Sequence, residues 1–129
     1  MSSPWAGLKG IIEEIRGISD IDAFALVRRD GVVIAHGLND GTDPRIIGAM
    51  TATITGTAEL ATEQLQQGRF LRTIVEFEQG KILLTNAGSQ ALLMSLVVSD
   101  ANLGLVLLQL EKIGNKIAKM LDQVVSVVA

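Results

Sequence analysis

The stretch Asp43–Gly68, DPRIIGAMTATITGTAELATEQLQQG, reads as one helix with two unlike faces. Asp43 is an N-cap residue, Pro44 suits the first helical position, and Gly68 is the stop. Ile47, Met50, Ile54, Ala58, Ala61 and Leu65 recur at spacings of three and four, an apolar stripe predicted to meet the protein's own core. Gly48, Ala52 and Gly56 recur at four on the other side, with Thr55 beside them. Glycine costs about 1 kcal/mol against alanine in a helix interior. A purely solvated face would carry Lys, Glu and Gln instead. The small face, Gly48, Ala52, Thr55, Gly56 and the neighbouring Glu59, is therefore read as a contact surface for a second chain.

The pattern before this helix predicts a first helix over 4–16. Ser3 offers a cap, Pro4 fits the first turn, and Trp5, Leu8, Ile11, Ile12, Ile15 and Ile18 share a face; Gly17 is the stop. Strands follow at Asp22–Arg28 and Val32–His36, with Asp30-Gly31 a two-residue hairpin signal because glycine takes positive φ easily. After the central helix come strands Arg69–Phe77, Lys81–Thr85 and Ala91–Val98, joined by Gln79-Gly80 and Asn86–Ser89. Asp100 and Asn102 are capping candidates for a last helix, whose stripe runs Leu103, Val106, Leu107, Leu110, Ile113, Ile117, Leu121, Val124 and Val128.

Ala23–Val27 and Ala91–Val98 are apolar on both faces, as strands covered on both sides are. They are placed centrally. The strand 69–77 carries Arg72 and Glu76 and reads as an edge. Its Leu71, Thr73 and Val75 have high strand propensity and could pair with a second copy. The fold class is α+β, a three-layer sandwich ordered helix–strand–strand–helix–strand–strand–strand–helix. The sheet is five-stranded and antiparallel, with the second helix on one face and the first and third on the other. Residues 1–129 are read as a single domain.

Composition limits the chemistry. Hydrophobic residues make up 48% of the 129 residues and aromatics 3%, so the core is aliphatic and some apolar surface is spare for a partner. A net charge of −3, with no Lys/Arg block beyond Arg28-Arg29, argues against nucleic acid and against an anionic membrane surface. Zero cysteine excludes disulfides, thiolate catalysis and Cys-based metal sites. The start lacks a signal-peptide pattern, and no apolar run approaches the ~20 residues of a membrane span. The expectation is a cytoplasmic, soluble protein with no membrane insertion.

No catalytic constellation emerges. His36 is the sole histidine and reads as structural or solvated. Glu13-Glu14, and Glu59 with Glu63, read as solvated faces, since no second source of metal ligands accompanies them. Asn39–Asp43 lacks the spacing and terminal Glu of a calcium loop and is better explained as a turn and helix cap. No phosphate-binding glycine motif occurs. Gly104, near the start of the last helix, is read as close packing against the sheet. No cofactor and no metal are expected, and no enzyme.

Three stretches, IIEEIRGISDIDAFALVRRDGVVIAHG (Ile11–Gly37), GKILLTNAGSQALLMSLVVSD (Gly80–Asp100) and NLGLVLLQLEKIGNKI (Asn102–Ile117), resemble the Roadblock family in this element order. That family comprises Roadblock-type dynein light chains and their bacterial and archaeal relatives. The resemblance implies homo- or heterodimers in which the edge strands after the second helix join two five-stranded sheets, with the two second helices side by side. It also implies a role as scaffold or regulator of a small Ras-like GTPase. Some such regulators act without an arginine finger, so Arg45, Arg69 and Arg72 are not promoted to one. The rim at Arg45, Glu59 and Glu63 is the expected GTPase-docking surface. The alternative is a small-molecule sensing domain of profilin, PAS or GAF shape, which ranks lower because the strands are nearly all aliphatic.

Overall fold

The computed structural model describes residues 6–128, and the side chains of 7–122. The predicted Ser3 cap, Pro4 and Trp5 lie outside the described residues, as do the side chains of Val124 and Val128. The elements are α1 (Ala6–Arg16), β1 (Ile21–Arg28), β2 (Val33–Gly37), α2 (Pro44–Leu65), β3 (Arg72–Phe77), β4 (Gly80–Asn86), β5 (Ala91–Val98) and α3 (Leu103–Val128). This is the predicted α+β order. The sheet is antiparallel with strand order β2-β1-β5-β4-β3. The two doubly apolar strands are adjacent inside it, and β3 is an edge.

Local signals account for most boundaries. Asp43 Oδ1 accepts the Arg45 N–H at 2.9 Å, capping α2 ahead of Pro44. That N–H, together with the Arg45 guanidinium, holds the Asp43 carboxyl below its ordinary range. Asn102 Oδ1 accepts the Leu105 N–H at 3.1 Å and caps α3. The Gly17 N–H donates to Glu13 O at 3.0 Å and closes α1.

Three details differ from expectation. Residues 29–32 connect β1 to β2, and the reversal itself takes Arg29-Asp30-Gly31, one residue longer than a two-residue hairpin turn. Gly31 donates to Arg28 O at 2.9 Å, and its φ of 95° lets Val32 return a carbonyl to the Arg28 N–H at 2.8 Å. α2 ends before Gly68, because Gln66 itself adopts the left-handed conformation (φ 53°). The glycine that lets α3 approach the sheet is Gly114, where a Cβ would stand 2.6 Å from Asn86 O. Gly104 is exposed and meets no strand.

Two apolar clusters hold the layers together. On one face Phe24, Leu26, Leu83, Leu93 and Val97 pack with Ile11 and Ile15 of α1 and Val106, Leu110, Ile113 and Ile117 of α3. Lys116 bridges α3 to Glu14 of α1 at 2.9 Å. On the other face Ala25, Val27, Leu84 and Met94 form a smaller cluster with Val33, Leu38, Ile82, and Ile47 and Ile54 of α2. No helix among the described residues is long and apolar enough to cross a membrane.

Candidate interaction surface

α2 is rotated about its axis from the sequence reading, so that only part of each expected face is where it was placed. Its buried residues are Gly48, Thr51 and Thr55, and the first and last of these belong to the face expected to meet a partner. Met50, Ala61 and Leu65, expected in the core, are exposed, while Ile47, Ile54 and Ala58 are half-buried at the margin. The reason is the closeness of helix and hairpin. A Cβ on Gly48 would collide with Gly31 O and stand 2.9 Å from Val33 Cγ2. Only a bare residue lets the backbones meet there, so Gly48, Thr51 and Thr55 take the centre of the inward face, with Ile47 and Ile54 packed at its margin and Ile46, Met50 and Leu60 outside. Gly48 and Thr55 are thus occupied within the chain and cannot form an intermolecular contact.

The remaining expected residues separate into three groups. Gly56 is exposed, with open space where a Cβ would be, and Ala52 is half-buried. Glu59 accepts from the Arg29 guanidinium at 2.9 Å, and the same guanidinium donates to Asn86 Oδ1 at 2.7 Å, so Glu59 fastens α2 to the β1–β2 turn. Leu71 is exposed, while Thr73 and Val75 are half-buried. The register pairs Thr73 with Leu84 and Val75 with Ile82, which puts both under α2. Arg45, Glu59 and Glu63 do lie along one flank of α2, since eighteen residues is five whole turns. Arg45 is exposed and engaged with its own cap, Asp43, at 3.4 Å, and Glu63 is exposed.

The surface that sequence reasoning missed is the outward stripe of α2. Ile46, Met50, Thr53, Thr57 and Leu60 recur at three and four, all exposed, with Ala49, Gly56 and Ala61 beside them. Ile46, Met50 and Leu60 expose 57%, 52% and 63% of their surface, and no charged side chain interrupts the run. The signal was present as the uncharged face diametrically opposite Gly48, Thr51 and Thr55. Contiguous apolar surface of this kind marks interaction sites more often than free solvent faces. At the sheet edge Leu71, Ile74 and Phe77 add further exposed apolar area.

Other candidates carry less. His36 is exposed, and its Nδ1 accepts the Leu38 N–H at 3.1 Å, a local turn contact. Arg69 and Arg72 line an open groove of about 420 Å³ with Arg29, Leu107, Glu111 and Asn115. Among the described residues no group of three or more His, Cys, Asp or Glu side chains could hold a metal ion.

Comparison with known proteins fits this architecture. The Uncharacterized protein MJ0310 of Methanocaldococcus jannaschii is 31% identical over 110 residues, covering 85% of this chain and 96% of its own. MglB of Myxococcus xanthus superposes with a TM-score of 0.85 at 17% identity, covering 94% of this chain and 99% of that one. The gliding protein MglB from Thermus thermophilus gives 0.80 at 20% identity, covering 95% and 94%. These two structures share the fold. The sequence model of the Roadblock/LC7 domain matches residues 9–99, and the chain belongs to that family.

Proposed function

We propose that this protein is a homodimeric, non-enzymatic module that binds a small Ras-like GTPase and regulates or scaffolds it. The observation that carries the self-association half is the uncharged outward stripe of α2, together with the exposed apolar residues at the β3 edge. Family membership supports the GTPase half. Two copies would use that surface on each other, leaving the Arg45–Glu63 flank of α2 as the docking rim. The catalytic residues of any hydrolysis would then be the GTPase's own.

The test is mass in solution by light scattering, alone and with the source organism's small Ras-like GTPases loaded with GDP or a GTP analogue. The reading expects a dimer that captures one GTPase preferentially in one nucleotide state. Replacing Met50→Glu and Leu60→Lys together should give a folded monomer, because surface substitutions away from structural features usually change stability by no more than about 0.5 kcal/mol. A wild-type monomer that ignores every GTPase overturns the proposal. Hydrolysis and exchange rates of the bound GTPase separate regulator from scaffold.

A further inference from the structure

Of the six arginines in the chain, four are engaged within it. Arg28 pairs with Asp30, Arg29 with Glu59 and Arg45 with Asp43, and the Arg16 guanidinium lies 5.5 Å from the centre of the Phe24 ring. Arg69 and Arg72 are exposed and make no ion pair among the described residues. Both line one groove of about 420 Å³, and Arg29 lines it with them. Half of the arginines thus gather in one place on a chain whose net charge is −3.

The fold builds this groove from several elements. Gly68, with a φ of 106°, turns the chain out of α2, and residues 69–71 lead it into β3. The register sets Arg72 opposite Thr85, which shares a face with Leu83, so Arg72 stands on the α3 side of the sheet. Leu107, Glu111 and Asn115, at spacings of four, are one row of α3 along the groove. Gly114 keeps that row near the sheet, its bare backbone resting against Asn86 O. The Arg29 guanidinium is held by Glu59 at 2.9 Å and by Asn86 Oδ1 at 2.7 Å, which leaves other N–H donors of the same fork unused. Glu59 neutralises Arg29. Arg69 and Arg72 remain, against Glu111 as the one carboxylate of the lining.

We propose that this groove binds a small hydroxylated phosphate monoester, its phosphate held by Arg69 and Arg72 and its body directed along α3 toward Glu111 and Asn115. A phosphate monoester carries a charge of about −1.5 to −2 at neutral pH and three acceptor oxygens. Guanidinium forks match such oxygens two at a time. Glu111 repels a bare anion but accepts from a hydroxyl, so it selects an ester with hydroxyl groups over inorganic phosphate. Phe70, Leu71 and Leu107 supply apolar contact for the carbon skeleton. The volume falls within the span of small-molecule sites, about 300–1,000 Å³. The aliphatic core strands have no bearing on this site, because its polar groups come from strand ends, connections and α3. The inference is independent of the GTPase reading.

The probes are glycerol phosphate and ribose phosphate, with inorganic phosphate and glycerol as controls at matched ionic strength. In an NMR titration of the whole chain, both esters should shift the backbone signals of Arg72, Asn86, Leu107 and Glu111. They should bind about tenfold tighter than inorganic phosphate, and glycerol should not bind. Arg69→Gln and Arg72→Gln should each weaken the esters about tenfold or more, the scale of a lost charge-assisted hydrogen bond. Both side chains are exposed, so an unchanged melting temperature should accompany that loss. Glu111→Gln should tighten inorganic phosphate and shrink the advantage of the esters over it. A merely electrostatic patch would instead tighten every anion alike. Equal binding of esters and inorganic phosphate overturns the proposal, as does ester binding that survives Arg69→Gln with Arg72→Gln. If neither ester binds the wild type while that double variant loses self-association, the arginines serve a protein contact and the proposal falls.

Discussion

α2 and α3 cover opposite faces of one sheet, yet they differ in what stands at the centre of the buried face. α3 turns Val106, Leu110, Ile113 and Ile117 into the sheet and carries Glu111, Lys112, Lys116 and Lys119 outward. α2 turns Gly48, Thr51 and Thr55 inward and carries Ile46, Met50 and Leu60 outward. α3 leaves Leu105 and Leu108 exposed in its first turns, but fully buried branched side chains form the centre of its inward face and complete this chain's core. α2 rests closely on the β1–β2 hairpin through Gly48, packs Ile47 and Ile54 at the margin of the smaller cluster, and leaves Ile46, Met50 and Leu60 uncovered. A helix of that construction fits a surface that another chain covers.

The largest effect should separate the two helices directly. Leu110→Ala removes a fully buried side chain and should cost about 3 kcal/mol or more, through lost transfer energy and the cavity left behind. Leu60→Ala, the same change on the outward stripe of α2, should stay within about 0.5 kcal/mol when measured on the monomer. Urea unfolding of both variants checks the contrast. Equal losses would mean that Leu60 is a core residue and that the stripe is no surface at all.

Next in size is Gly48→Ala. The added methyl group meets Gly31 O and Val33 Cγ2, and the first of these is backbone that cannot swing aside. The helix must lift from the hairpin, at about 1–3 kcal/mol, the usual cost of overpacking. The gain in helix propensity from removing a glycine offsets only about 1 kcal/mol of that. A net stabilisation would show that small residues on the inward face are not what sets the spacing of helix and hairpin.

Much of this fold was legible because its signals are local. Asp43-Pro44 marks a helix start by cap chemistry and missing N–H alone. Asp30-Gly31 marks a reversal, and the doubly apolar Ala23–Val27 and Ala91–Val98 announce strands covered on both sides. What local patterns do not carry is which of two faces points inward. Periodicity establishes that Met50 and Gly48 lie on different faces of α2. The choice between them depends on how near the helix comes to Gly31, a residue in another element. The usual rule that the larger apolar stripe seeks the core fails where backbone meets backbone. The same reasoning applies to α3, where Gly114 and not Gly104 makes the close approach, because only Gly114 sits over Asn86 O. Likewise Glu59 looked like a free surface charge until the turn carrying Arg29 was placed beside it.

The smallest expected effect is also the most discriminating. Gly56 belongs to the same four-residue series as Gly48, yet a Cβ there meets nothing within 4 Å. In the isolated chain Gly56→Ala should therefore stabilise the fold by up to about 1 kcal/mol, through helix propensity alone. Urea unfolding at low protein concentration should show a higher midpoint at unchanged slope. Raising the concentration adds the contribution of self-association, because a partner that binds only the folded state stabilises it by mass action. If the second copy packs closely over this part of α2, the added methyl group intrudes on that contact, and the advantage of the variant shrinks or reverses as concentration rises. If Gly56 lies at the rim, the advantage stays constant. A loss of stability at low concentration would place Gly56 inside the chain's own core and remove the contrast between the two glycines on which the inward and outward faces of α2 are distinguished.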